Sequence, residues 1–343
     1  MKNIAIVTIV SINYGNRLQN YALQCVLENL GYSVATLSRG NRTKGLKKNV
    51  KTVVQSLLQT KGSKFRQFDS NIEYSNVTIG VNDYPEDLSE QFDCFIVGSD
   101  QVWNPYYDFA GGKCDFLAFA KDCQKVSYAA SFGVNEIPDE KKEVYAHNLN
   151  QFKALSVREK RGAEIIKELT GKDAKVVLDP TMLLSNEQWS KVEKKSKFSP
   201  KKKYALVYSL GEKSTDFENA INLYGKEMEI FDIRTIQKNG REIPVGPAEF
   251  LYLIHHAELI LTDSFHASVF SILFHKRFIT FKRPGIDMSS RIVSLANMIG
   301  AEDRLDRNNN MDCSDQVDYT TVDQLIDSER KQSIDFLKKA LED

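Results

Sequence analysis

The sequence predicts an α/β protein made of two doubly wound, Rossmann-like domains. Three observations predict it. The chain has 343 residues, more than one ordinary hydrophobic core takes up. Short apolar, β-rich runs alternate with stretches of helical period, the pattern of βαβ units on a parallel sheet. The alternation halts at a basic, proline-containing stretch, KKSKFSPKKK at 194–203, and then starts again. The expected division is residues 1–192 for a first domain, 193–203 for a linker, 204–320 for a second domain and 321–343 for a helical tail.

The elements follow in order. Ile4–Val10 is an apolar strand, followed by a polar loop through Asn16. Leu18, Tyr21, Ala22, Cys25 and Val26 recur at helical spacing, and Gly31 lies where a helix stop is expected. Val34–Leu37 returns as a strand. Cys94–Val97 runs into Gly98-Ser99-Asp100, and Val126–Ala130 into Ser131-Phe132-Gly133. A helix over 138–152 precedes a short strand ending at Arg158. The helix after it is closed by Gly171, and Val176–Leu178 runs into Asp179-Pro180. After the linker, strands are expected at Ala205–Tyr208, Ile230–Ile233, Leu259–Thr262 and Phe278–Phe281. Helices fall between them, and one more covers 291–299. Leu325, Ile326, Ile334, Leu337 and Leu341 give the tail a helical period.

Composition limits the function classes. The hydrophobic fraction of 42% and charged fraction of 27% are those of a globular protein, and no apolar run approaches the ~18 residues of a spanning helix. The N-terminus reads as a first core strand and not as a signal peptide. Five scattered cysteines without a CxxC pair suggest reduced thiols in a cytoplasmic protein. No histidine pair has HExxH-type spacing, so no metal is expected. The formal net charge is zero, but the segment 39–68 holds nine Lys or Arg and no acid. Its bland reading is a docked helix with a solvated basic face. The sharper one is peripheral contact with an anionic membrane surface, at the inner face.

In open α/β sheets, ligands collect beyond the carboxyl ends of the strands, so the residues just after each strand are the site candidates. GSDQVWNP (98–105) brings Ser99, Asp100, Gln101, Trp103 and Asn104: a carboxylate, amides and an indole face, the equipment for a sugar. The bland alternative is a turn broken by Gly98 and Pro105. Asn13, Tyr14, Gly15 and Asn16 begin NYGNRLQNYAL, a strand-to-helix junction able to present N–H groups to an anion, or a simple Asn-capped turn. One glycine is no dinucleotide fingerprint. Ser131 follows another strand. Arg158, at a strand end, offers a planar fork for a carboxylate or phosphate, or a surface ion pair with Glu159 or Glu164. LTDSFHASVF (261–270) sets Ser264 to cap a helix and His266 in its first turn, either an acid–base group or a histidine of a capped helix.

As an ordered set, NYGNRLQNYALQ, FIVGSDQVWNP, SYAASFG, LSVREKRG, VVLDPTML, TDSFHASVF and SSRIVSLANMIGAEDRL resemble the polysaccharide pyruvyl transferase family, from residue 4 to about 305. The resemblance implies two domains similar to the glycosyltransferase-B architecture, with a cleft between them. It implies transfer of a pyruvyl group from phosphoenolpyruvate to two hydroxyls of a sugar, giving a cyclic ketal on a cell-surface glycan or its lipid-linked precursor. The family's histidine falls on His266, its donor-binding arginine on Arg158 and its N-domain aspartate on Asp100. The donor needs cations and N–H groups, which Arg158, the helix start at Ser264–His266 and Arg291 would supply. His266 is then expected as the acid and Asp100 as the base, with no redox cofactor. The sequence departs from the family at Ala267, where glycine is usual, and the extra methyl narrows that spot. Two rival readings are a nucleotide-sugar glycosyltransferase of the same architecture and a glycan-binding protein without turnover.

Overall fold

The computed structural model describes residues 1–40, 60–196, 199–235, 237–238, 241–283, 289–299 and 318–342. The chain forms two compact units: Met1–Leu57, Asp69–Leu183 and Ser328–Asp343 make the first, Leu58–Phe68 and Leu184–Asp327 the second.

The first unit is built on a parallel sheet. Its strands are β1 (Asn3–Val7), β2 (Ser33–Arg39), β3 (Tyr74–Ile79), β4 (Cys94–Val97) and β5 (Lys125–Ser127), in the order β3-β2-β1-β4-β5. Ile4, Ala5, Ile6 and Val7 of β1 and Phe95, Ile96 and Val97 of β4 are fully buried. Continuous apolar runs of this kind suit strands covered on both faces. Two short strands, β6 (Ser156–Val157) and β7 (Lys175–Val176), pair in parallel, and isolated parallel bridges at Val126–Ala154 and Ala130–Val157 join β6 to the β5 edge. The helix α1 (Tyr14–Asn29) connects β1 to β2. The order reverses between β1 and β4, which makes their carboxyl ends the topological switch point.

The second unit opens with α2 (Lys61–Phe68), inside the segment 39–68 read as a docked helix with a basic face, and it buries Phe65 and Phe68. In the first unit, α3 (Asp139–Asn150) and α4 (Lys160–Thr170) follow β5 and β6. The second unit resumes with α5 (Asn186–Ser190), β8 (Tyr204–Tyr208), α6 (Thr215–Tyr224), β9 (Glu229–Asp232) and the small hairpin of β10 (Gln237–Lys238) and β11 (Arg241–Glu242). Then come α7 (Pro247–His255), β12 (Leu259–Thr262), α8 (Phe265–Leu273), β13 (Arg277–Thr280) and α9 (Ser289–Ile299). Its parallel sheet has the order β13-β12-β8-β9, so the switch point lies at the carboxyl ends of β8 and β12.

Three sequence expectations shift. The chain changes units at Leu183–Leu184 and not at 193–203. Trp189 of α5 is fully buried and meets Phe270 edge-on at 5.0 Å, which ties the preceding stretch to the second unit. Residues 321–342 are helical as expected but divide between the units at Asp327–Ser328. They lie in α10 (Tyr319–Glu342), whose Tyr319 hydroxyl donates to the Lys276 carbonyl at 2.6 Å. Its Ser333 accepts the Leu178 N–H at 3.0 Å in the first unit. Strand β3 was missed because it is an edge strand, mostly half-buried and polar. Most of the basic segment, 41–59, lies outside the described residues. Within its remainder, Lys64 pairs with Glu249 at 2.5 Å inside the second unit. No helix among the described residues is long and apolar enough to cross a membrane.

Candidate functional site

At the switch point of the first unit the chain concentrates buried polar groups. Gly98, at φ +117, stands where a Cβ would run into the Tyr128 carbonyl oxygen. Asp100 follows at φ +74, a left-handed conformation that aspartate tolerates better than most residues. The turn aims its carboxylate back over the sheet edge. Oδ1 accepts the Gln101 N–H at 2.8 Å, Oδ2 accepts from the Asn16 amide, and Asn16 in turn is bonded by Ser11. Thr8, at the end of β1, completes the frame: Gln19 Nε2 donates to its hydroxyl at 2.8 Å and Gln19 Oε1 accepts the Ser99 N–H at 3.1 Å. The loops after β1 and β4 are thereby locked to each other.

Arg158, at the end of β6, enters the same network from the other side. Its Nη1 donates to Asp179 Oδ2 at 2.9 Å, and it lies 3.7 Å from Asp100 and 3.9 Å from Glu159. Burial disfavours its charge, but the carboxylates, Asp179 foremost, outweigh that and push its pKa above the usual arginine value. Asp179 also accepts from Ser99 Oγ at 3.0 Å and from the Thr181 hydroxyl and N–H at 2.7 and 3.0 Å. Ser131 donates to Glu159 at 2.8 Å. The arginine was expected to offer its fork to a donor anion. The structure instead seats one arm on Asp179 and rings the group with three carboxylates.

The other candidates of this unit divide. Asn16, Ser99, Asp100 and Arg158 are brought together. Asn13 is half-buried at the N-cap of α1 without a capping side-chain bond, and Tyr14 and Gly15 are buried in its first turn. Gln101 and Asn104 bond each other at 2.9 Å and shape the loop from within. Trp103 departs from expectation outright. It is fully buried, its Nε1 donates to the Asp115 carbonyl at 2.9 Å, and it packs among Phe116, Phe132 and Phe152. An indole in that position has no face for a sugar. The exposed rings of the same loop are Tyr106 and Phe109, 69% and 54% accessible, the latter stacked on Tyr107.

The second unit has its own strand-end cluster. Ser264 caps α8, its Oγ accepting the Ala267 N–H at 3.4 Å, and His266 is held buried in the first turn with its ring edge-on to Phe265. Asp263 binds across the switch point: it accepts the N–H groups of Leu210 and Gly211, at 2.6 and 3.3 Å, and Arg283 Nε at 3.0 Å. Arg234 reaches the Ser209 carbonyl at 3.1 Å, and Lys213 pairs with Asp232 at 2.9 Å. Among the described residues, the groups bonded at this edge are three cations and two carboxylates, with the exposed Glu212 in the same loop, whereas the first unit's network sets one arginine among three carboxylates. The Arg291 side chain lies outside the described residues. Asp179, three residues past β7, and Asp263, directly after β12, were legible by the strand-end rule. Arg283 was not, because only the tertiary bond to Asp263 marks it.

The family model for polysaccharide pyruvyl transferase matches residues 13–283. No curated protein matches the chain. Among solved structures, a protein from Listeria monocytogenes described as a UDP-N-acetylglucosamine 2-epimerase superposes with a TM-score of 0.55 at 12% identity, covering 98% of this chain and 90% of its own. The UDP-GlcNAc 2-epimerase from Neisseria meningitidis, bound to UDP-GlcNAc, gives a TM-score of 0.51 at 12% identity, with 99% and 93% covered. At such identity the likeness concerns the fold: two Rossmann-like α/β domains of the glycosyltransferase-B kind.

Proposed function

We propose, from the premise that this chain belongs to the polysaccharide pyruvyl transferase family, that it takes the pyruvyl group of phosphoenolpyruvate and closes it as a cyclic ketal on two hydroxyls of one sugar in a cell-surface glycan or its lipid-linked precursor. The observation that carries the reading is the buried His266 in the capped first turn of α8, at the carboxyl edge of a sheet whose strand ends are rich in cations. The chemistry requires a proton on the enol carbon and attack of a sugar hydroxyl on the neighbouring carbon. The phosphate then leaves, and a second hydroxyl closes the ring. One hydroxyl proton balances the new methyl group and the other the released phosphate.

In this reading His266 gives the proton, since histidine is the side chain whose ordinary titration range serves both directions of proton transfer near neutrality. Asp100 receives the proton of the attacking hydroxyl or orients it, a role its fixed and partly exposed carboxylate suits. Arg158 is a positioning residue that holds Asp100 and Asp179 in place. Ser264 and the α8 N-terminus, with Arg283 and Arg234 on the neighbouring strand ends, face the donor's anionic groups. Ala267, one residue past His266, is fully buried in α8, so its methyl shapes the wall and removes no reacting group. A lipid-linked acceptor would bring the chain to an anionic membrane face.

The test is incubation with phosphoenolpyruvate and a panel of free and lipid-linked glycans, reading phosphate release together with the mass gain of the acceptor. Nucleoside diphosphate release from a nucleotide sugar would favour a glycosyltransferase instead. Phosphoenolpyruvate or glycan binding without turnover would favour a binding protein.

A further inference from the structure

We propose that Glu193, His255 and His256 form a site for a divalent cation of zinc's class on the second unit. One ligand atom from each of the three lies within 4.8 Å of the others. The two imidazoles end α7, and Glu193 comes from the segment after α5 and accepts or shares a proton with His255 Nδ1 at 2.9 Å. A cation in place of that shared proton asks the pair to open by only about 0.4 Å, to the ~3.3 Å of tetrahedral ligands.

The rings are already oriented. His256 Nδ1 is 2.9 Å from the Tyr252 carbonyl. A carbonyl can only accept, so that nitrogen carries the proton of the neutral ring and Nε2 keeps its lone pair for a metal. Ligating histidines are ordinarily fixed in this way, by a second partner on the other nitrogen. The His256 ring stacks on Tyr252 at 3.9 Å and the His255 ring on Phe274 at 4.4 Å. The negative end of the α7 dipole lies at the same place and favours a cation.

The donor set decides the class. Two imidazole nitrogens and one carboxylate match zinc, with an open fourth position for water. Magnesium and calcium require more oxygens than one glutamate supplies. Zinc–ligand bonds of about 2.0–2.1 Å put tetrahedral ligand atoms roughly 3.3 Å apart, so the cluster must tighten. His256 is the exposed member, and the segment carrying Glu193 closes on it while the Tyr252 contacts hold the ring. The opposing charges are Lys276, which also interacts with Glu193 and is half-buried, and Lys195, whose Nζ lies 6.0 Å from the centre of the Tyr252 ring. The ion must therefore bind the nitrogens well and not rely on charge alone. Its structural effect is to fasten the segment after α5 to the end of α7. A search for sequence motifs passes over this site because 62 residues separate Glu193 from His255.

The probe is Zn²⁺ itself, dialysed against the full-length, tag-free chain. The expected result is one ion per chain, and a melting temperature that rises with Zn²⁺ and falls back with EDTA. Glu193→Gln and His256→Ala each weaken binding by at least about tenfold, the loss expected of a metal ligand. Both variants retain the metal-free melting temperature, and Cys123→Ser binds as the parent does. Uptake that is equal in the parent and both variants overturns the proposal. So does a parent chain that takes up no Zn²⁺ at ~100 µM, or one that binds Mg²⁺ equally well.

Discussion

Replacing Arg158 by methionine separates a structural arginine from a substrate-binding one. The Arg158 side chain is 2% exposed and that of Asp179, 2.9 Å away, is fully buried. Methionine fills the volume of the arginine stem and leaves the charge of Asp179 facing Asp100 and Glu159 with no cation among them. Breaking a buried pair from one side costs about 3–5 kcal/mol. One kcal/mol moves the melting point of a domain this size by about 2–4 °C, so the first unit should melt roughly 6–20 °C lower. Lysine keeps the charge but not the planar fork, so Arg158→Lys should fall between. Adding Asp179→Asn to the methionine variant removes the stranded charge and should restore part of the loss, a coupling that a double-mutant cycle reads directly. The assay is thermal unfolding followed by circular dichroism, beside phosphate release on each variant. If Arg158→Met melts with the parent and loses only phosphoenolpyruvate binding, the arginine belongs to the donor and the structural account is wrong.

His266→Gln keeps size and hydrogen bonding but cannot titrate. It should fold, bind phosphoenolpyruvate within roughly tenfold and lose ~10²-fold or more in turnover, and near-normal turnover with an unchanged pH profile would make the ring structural. Tyr106→Ala and Phe109→Ala should each raise the acceptor KM about fivefold, since a stacking contact contributes about 1 kcal/mol, while the melting point and the phosphoenolpyruvate KM stay put. Equal effects on both KM values would remove the aromatic loop from acceptor binding. Burial pushes the Cys94 thiol up to about 11 and the Cys114 thiol up to about 12, so both stay protonated until the pH climbs past those values. Cys123 is exposed, and in a native thiol titration at about pH 8 Cys123→Ser should delete one fast-reacting thiol while Cys94→Ser and Cys114→Ser delete none. Gly98→Ala should fail to fold or melt far below the parent, because its Cβ meets backbone and not a movable side chain; a soluble variant with the parental melting point would refute the strained turn.

What the sequence made legible is what one-dimensional pattern encodes. The strands β1, β4, β8 and β12 are apolar but for Asn3 and Thr262, as strands covered on both faces are, and such runs stand out whatever the tertiary contacts. The strand-end rule singled out Asp100, Arg158 and His266 as candidates without knowledge of the sheet order. It did not tell which strand-end groups meet. Arg158 looks alike in sequence whether it waits for a phosphate or sits on Asp179, and the difference is a contact across 21 residues. Trp103 failed for a related reason. In GSDQVWNP the indole reads as a loop residue, but the left-handed turn at Asp100 folds the chain back and drives the ring into the core. The aromatic surface moves to Tyr106 and Phe109, whose exposure no periodicity announces. The early unit change at Leu183–Leu184 was hidden in the same way, since only the packing of Trp189 on Phe270 reveals it.

The two strand-end clusters also differ in what they would accept. In the proposed reaction the donor brings a carboxylate and a phosphate, and the acceptor brings neutral hydroxyls. At an effective dielectric constant of 20, a pair of like charges 4 Å apart costs about 4 kcal/mol. The network at the β1–β4 switch point holds Asp100, Asp179 and Glu159 against Arg158 alone, so a phosphate placed there meets more repulsion than one arginine offsets. Hydroxyl groups meet no such penalty, and carboxylates are what orient them. The β8–β12 switch point differs: among the described residues Arg283, Arg234 and Lys213 stand beside the bonded carboxylates Asp263 and Asp232, with the exposed Glu212 in the same loop, and the N–H groups of the α8 first turn add to the cations. In the proposed reaction this balance favours hydroxyls at Asp100 and an anionic donor at the residues around His266. Under that proposal Arg283, absent from the pattern of the sequence, is the arginine whose loss should weaken phosphoenolpyruvate binding most directly, as titration of the donor against Arg283→Ala would read.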